Sequence, residues 1–157
     1  MNRAALEIQR TLRHGLIPAV PVPFRADRTI DDASQALYAE WMASQPVVGV
    51  AVWVHTGRGL KLTESERAGV LTSWRAHLPG KIIIAGAGGN PDAGSDEAFI
   101  DSARRMATQA ASLGADALLA YAPVRLRDRR DTEQSRLIVQ YPEAIKDAGL
   151  PIILFYI

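Results

Sequence analysis

The chain has 157 residues, 48% of them hydrophobic and 22% charged, which suits one globular domain. A net charge of +1 gives no reason to expect nucleic acid or an anionic membrane surface as partner, and the absence of cysteine excludes disulfides and thiolate metal sites. No apolar run approaches the ~20 residues of a membrane helix. Residues 1–13 mix Arg3, Glu7, Arg10 and Arg13 with Leu6 and Ile8 and lack the apolar core of a signal peptide, so a cytoplasmic location is the default expectation.

Residues 16–22 form the first of five short, apolar, β-rich runs. Residues 31–43 follow with Leu37, Tyr38, Trp41 and Met42 at helical spacing behind an Asp cap. The second run is 48–54. After it, Thr63-Glu64-Ser65-Glu66 reads as a capping box, and the helix it opens extends to about Leu78, where Pro79-Gly80 stops it. The third run, 81–85, precedes an alanine-rich helix over 95–113 that ends at Gly114. The fourth run, 117–121, precedes a helix over 131–148 that ends at Gly149 and carries Pro142 as a kink or break. The fifth run is 151–157.

From Ile17 to Gly49, Ile82, Asp116 and Pro151 the spacings are 32, 33, 34 and 35 residues, the length of a βα unit. Ankyrin and tetratricopeptide arrays share such a period, but Ile82-Ile83-Ile84 and Ile152-Ile153-Leu154 are too β-branched for helical hairpins. Alternating strand and helix imply α/β with parallel strands, and nearly continuous apolar runs imply strands buried on both faces. Two architectures fit: a complete flavodoxin-like sheet of order 2-1-3-4-5, serving as a binding or regulatory module without catalysis, or five strands and four helices of a (β/α)8 TIM barrel. The fifth run is still apolar at Ile157 with no covering helix, and a bare apolar edge invites aggregation. The expectation is therefore that residues 1–157 are the N-terminal part of a single barrel domain.

Several loops carry a resemblance. Gly15-Leu16-Ile17-Pro18-Ala19-Val20-Pro21-Val22-Pro23-Phe24 with Ile30-Asp31, then His55-Thr56-Gly57-Arg58-Gly59-Leu60, the Gly-rich end of the third run, Ala117 to Pro123, and Leu150-Pro151-Ile152-Ile153-Leu154-Phe155-Tyr156 follow one another as in the dihydrodipicolinate synthase / N-acetylneuraminate lyase family. The resemblance covers essentially the whole chain and identifies it as a divergent member.

That resemblance implies a class I lyase or aldolase acting on a 2-oxo acid, usually pyruvate, through a lysine Schiff base. It implies a homo-oligomer, dimer or tetramer, and no metal or other cofactor. An iminium withdraws electrons, so the adjacent carbon can lose a proton and add to an aldehyde or leave one. Lys61, Lys81 and Lys146, the lysines of the chain, do not fall at a strand top. The Schiff-base lysine is therefore expected in a C-terminal half, and the fragment itself is expected to be inactive.

The C-terminal ends of barrel strands hold the chemistry. Thr56 with Gly57 matches the family residues that hold the carboxylate, though a plain turn also explains them. His55 stands where the family has a second threonine of a proton relay; it could relay near neutral pH or be a satisfied polar strand end. Arg58 and Arg125 depart from the family glutamate and tyrosine. Each could clamp a carboxylate, and Arg125 also fits a solvated mixed-charge loop. Phe155 stands at the family's catalytic tyrosine and cannot relay a proton. Tyr156 is one residue further, on the opposite strand face unless a bulge re-aims it. Gly86-Ala87-Gly88-Gly89-Asn90-Pro91 resembles a dinucleotide loop, but Pro91 breaks that fingerprint. No His/Asp/Glu cluster has metal-ligand spacing.

Overall fold

The structure is a computed structural model and describes residues 3–121 and 131–155. In chain order its elements are α1 (Arg3–Leu12), α2 (Asp32–Ala43), β1 (Gly49–Val52), α3 (Glu64–His77), β2 (Ile82–Gly86), α4 (Asp96–Ser112), β3 (Ala117–Tyr121), α5 (Asp131–Ile145) and β4 (Ile152–Phe155). The four strands are parallel and lie in the order β1-β2-β3-β4.

Sequential order separates the two expected architectures. A flavodoxin-like sheet reverses its strand order and carries helices on both faces. Here each strand pairs with the next in sequence. Val50, Val52, Ile83, Ala85, Leu118 and Ala120 pack with Trp74, Phe99, Met106 and Tyr141 from α3, α4 and α5. The other face holds Ala51, Ile82, Ile84 and Ala117, with Leu119 and Ile153 beside them. The helices α3 to α5 thus take one face, and the second face is the inner wall of a curved sheet. The architecture is part of a TIM barrel, and the flavodoxin-like alternative does not hold.

The first expected strand is reduced to a single parallel bridge, Ala19 to Ala51. Its place beside β1 is nonetheless held by backbone bonds: Val48 N–H to Leu16 O (3.0 Å), Ala51 N–H to Pro18 O (2.9 Å) and Val20 N–H to Ala51 O (3.1 Å). Pro18, Pro21 and Pro23 bring no N–H, so a regular ladder cannot form.

The helix ends follow their sequence signals. Asp31 caps α2 through Ser34 N–H, Ser95 caps α4 through Ala98 N–H, and Gly80, Gly114 and Gly149 take left-handed φ of 75°, 84° and 76°. The Thr63–Glu66 box forms in both directions. Pro142 lies inside α5 without ending it; the helix runs to Ile145 and tightens to a 3-10 turn over Lys146–Ala148.

Two features differ from the expectation. Residues 3–12 form a helix whose Ile8 and Leu12 pack against the inner-wall cluster. And α2 turns Gln35, Ala39 and Met42 inward, leaving Leu37 and Trp41 exposed. Beneath the sheet, charged side chains tie strand starts to helix ends. Lys81 Nζ donates to the carbonyls of Ala43 (2.8 Å) and Gln45 (2.9 Å). Arg75 reaches Gly114 O and Asp116 Oδ2, both at 2.6 Å, while Asp116 accepts Ile83 N–H at 2.8 Å.

Candidate functional site

The C-terminal end of β1 breaks sharply. Trp53, fully buried, takes φ 61°, a conformation costing a bulky residue on the order of 1–3 kcal/mol. Its surroundings hold it there. The indole N–H donates to Arg67 O at 3.0 Å, and the Arg67 guanidinium lies 5.9 Å from the ring centroid. Arg67 is itself fixed by Gln109 Oε1 (3.0 Å) and Leu62 O (2.8 Å). Two glycines make room for the kink. A Cβ at Gly59 would fall 1.9 Å from the Trp53 carbonyl oxygen, and one at Gly86 would fall 2.6 Å from it.

The kink delivers His55, Thr56, Gly57 and Arg58 as one turn above the sheet. Arg58 N–H returns to His55 O at 3.0 Å and Gly59 N–H to Val54 O at 3.4 Å. Among the described residues, no acceptor takes the N–H of Thr56 or Gly57. Gly57 is buried, with the Val20 carbonyl 2.9 Å from where a Cβ would stand, whereas His55, Thr56 and Arg58 are exposed. A short hydroxyl beside two unclaimed N–H groups is chemistry for an anion. Arg58 takes φ 52° and lays its guanidinium 5.8 Å from the Phe24 ring centroid. The turn after β1 therefore meets the loop after the first, bridged strand.

Phe155 ends β4 about half exposed, paired in register with Tyr121 at the end of β3. Arg125 and Tyr156 lie outside the described residues. The glycines of 86–91 have packing reasons: Gly86 faces the Trp53 backbone, Gly88 the Tyr121 hydroxyl, and Gly89 the Phe99 ring. Tyr121 and Trp53 are site residues that the motifs missed. Tyr121 was within reach of the strand-end rule, since it is the last residue of its run. Trp53 had no comparable signal, because its left-handed φ arises from packing.

None of the lysines points into the inner face. Lys81 serves carbonyls at the sheet's lower end, Lys61 lies 3.7 Å from Asp92 and is mostly exposed, and Lys146 pairs with Glu143. Among the described residues no group of three His, Asp or Glu could hold a metal ion. None of the described helices is long and apolar enough to cross a membrane.

Strand order and the strand-top turn define a class, the sequentially wound β/α barrels whose chemistry sits in βα loops. The Dihydrodipicolinate synthetase family profile matches residues 12–157, and the chain belongs to that family. It is 32% identical over 142 residues to a 4-hydroxy-tetrahydrodipicolinate synthase of Stenotrophomonas maltophilia (strain R551-3), covering 90% of this chain and 44% of that protein. It is 29% identical over 149 residues to an uncharacterized DapA-like lyase of Rhizobium meliloti, covering 93% and 45%. Among solved structures, the dihydrodipicolinate synthase of Rhodopseudomonas palustris superposes with a TM-score of 0.71 at 26% identity, covering 89% of this chain and 43% of that one. The N-acetylneuraminate lyase of Mycoplasma synoviae superposes at 0.72 and 24% identity, covering 91% and 46%, a likeness of fold. The chain spans about half the length of the curated relatives it matches.

Proposed function

We propose that this chain supplies the 2-oxo acid-binding part of a dihydrodipicolinate synthase-like lyase or aldolase, and that the Schiff-base lysine lies outside residues 1–157. The observation that carries this reading is the turn after β1, where Thr56 and Gly57 present N–H groups without an acceptor among the described residues, beside the Thr56 hydroxyl. A carboxylate there accepts from both, Arg58 adds positive charge beside it, and Arg125, outside the described residues, is the second arginine of the reading. His55 is the proton relay of the turn, and Tyr156 is a second candidate for that work. Family membership supports the reaction class, and the placement of Lys61, Lys81 and Lys146 supports an amine from elsewhere. The iminium itself supplies the electron sink, so the reading needs neither metal nor other cofactor. A homo-oligomer of the whole protein belongs to the same reading.

The test is reductive trapping. Treated with pyruvate and borohydride, the protein that joins this chain to the rest of its barrel should gain a pyruvate adduct on a lysine outside residues 1–157. The 157-residue chain alone should gain none. An adduct on Lys61, Lys81 or Lys146, or no adduct in the whole protein, would overturn the reading. In the whole protein Thr56→Val should raise the KM for the 2-oxo acid about tenfold, the effect of a lost hydrogen bond to a charged group.

A further inference from the structure

We propose that Arg67 is a positioning residue for the substrate carboxylate, clamping from α3 both ends of the turn that carries Thr56 and Gly57; this rests on the 2-oxo acid reading above. The turn leaves β1 at Trp53 and runs through the 3-10 turn Gly59–Lys61 and Leu62 to α3. Arg67 bonds it on both sides. On the near side the Trp53 indole N–H donates to Arg67 O at 3.0 Å, and the guanidinium lies 5.9 Å from the indole centroid. On the far side Arg67 Nη1 donates to Leu62 O at 2.8 Å. Trp53 and Leu62 are buried, while His55, Thr56 and Arg58 between them are exposed. The anchors therefore lie in the core and the groups they aim lie at the strand tops.

The next helix backs the clamp. Arg67 Nε donates to Gln109 Oε1 of α4 at 3.0 Å, and Gln109 Nε2 donates to Glu64 O at 2.6 Å. None of the ion pairs among the described residues includes Arg67. Its donors go to neutral oxygens in two directions, and its flat face meets the indole. A planar fork can make all three contacts at once; the compact ammonium of a lysine cannot.

Trp53 at φ 61° holds a conformation that its surroundings must enforce. The N–H groups of Thr56 and Gly57 follow three and four residues later. With the clamp released, the end of β1 relaxes towards extended backbone, and the two N–H groups no longer converge on one carboxylate. A misplacement of about 1 Å from a change far from the chemistry is enough to cost orders of magnitude in rate or binding. Arg67 itself does not reach the substrate, so its effect falls on affinity and not on the reacting groups.

In the whole protein Arg67→Met keeps the stem and removes the fork. It should raise the KM for the 2-oxo acid about tenfold, the size of a lost bond to a charged group, with kcat at saturation within about twofold of the parent. A merely structural arginine gives the opposite split, less active protein with an unchanged KM. In the Thr56→Val background the same substitution should add less than about threefold, because both changes act on one turn. Lys81→Met loses two carbonyl bonds at the other end of the sheet; it should lower the urea midpoint and leave KM where it is. If Arg67→Met fails to fold, Gln109→Leu frees the guanidinium from α4 and should raise KM roughly threefold. An unchanged KM in the variant that folds, a full tenfold multiplication on top of Thr56→Val, or an equal rise in Lys81→Met overturns the assignment while leaving the 2-oxo acid reading standing. A whole protein that traps no pyruvate overturns both.

Discussion

Glycine has opposite meanings at two positions of this chain. Gly59 lies under the strand-top turn, where a Cβ would come within 1.9 Å of the Trp53 carbonyl and 2.5 Å of its Cα. Those atoms are backbone, and Trp53 is already held at φ 61° by its bond to Arg67 O. Gly69 lies inside α3 with nothing within 4 Å of the same added atom. Gly59→Ala should therefore destabilise the chain by about 1–3 kcal/mol, and Gly69→Ala should stabilise it by roughly 0.5–1 kcal/mol. Urea midpoints of the two variants should move in opposite directions; a shift of the same sign would sink the account of Trp53. A second outcome is alkaline. Burial raises Tyr121 to about 12 from its ordinary 10.0 and raises Tyr141 as well. Because their folded values lie above the unfolded one, the stabilisation is complete below pH 10 and fades as pH rises towards 12. Urea midpoints across that window should fall, and the fall should be shallower in Tyr121→Phe. The sequence displayed the turn from His55 to Arg58 because it follows an apolar run, where strand tops hold the chemistry, and because it resembles the family's loop there. It did not display Trp53 or the pairing of Tyr121 with Phe155. Those depend on a left-handed residue and on strand register, which no local pattern encodes.

Elements were more legible than their contacts. Four of the five apolar runs and all four expected helices stand close to where periodicity and caps placed them, since Asp31, Thr63 and Ser95 each bond the N–H groups their positions imply. The misses have physical causes. Pro18 and Pro21 turn the first run into a bridged segment. The outward Leu37 and Trp41 obey the helical spacing but lie on the far side of α2, where Trp41 stacks on Tyr38 at 6.1 Å. Residues 3–12 are amphipathic in a way that three charges obscured, and their apolar side covers the inner wall. The capping box offers a clean measurement. Thr63→Ala removes the oxygen that accepts Glu66 N–H at 3.2 Å and should cost about 1 kcal/mol. Glu66, bonded by the Thr63 backbone N–H and then its hydroxyl, is held below its ordinary 4.5. Its contribution is present above that value and lost as pH falls through the lower folded one. Stability should decline on acidification below about pH 4.5. If acid unfolding of Thr63→Ala keeps the parent's full slope, the box is not what the pH dependence reports.

At the scale of the molecule, both ends of the curved sheet carry apolar surface. One end offers Leu16 with Leu37 and Trp41 from α2; the other offers Leu154 and Phe155 with Ile138 and Val139 from α5. Leu154 is 73% exposed even though Ile152, two residues earlier on the same strand face, packs against the main core. In a closed barrel every strand has a neighbour on each side, so such surfaces become seams. In the 157-residue chain they are an exposed strand edge flanked by a greasy helix, a template for pairing with another copy. The isolated chain should therefore self-associate as its concentration rises, and Leu154→Lys with Val139→Lys should reduce that association in sedimentation velocity without altering far-ultraviolet dichroism. Where further β/α units close the barrel, as in the proposed whole protein, the same pair of lysines should instead be destabilising, because it buries two ammonium groups without partners. Opposite signs in the two settings are the signature of a seam. If the double variant leaves self-association unchanged in the isolated chain, the β4 edge is not its cause, and the Leu16, Leu37 and Trp41 end becomes the surface to substitute.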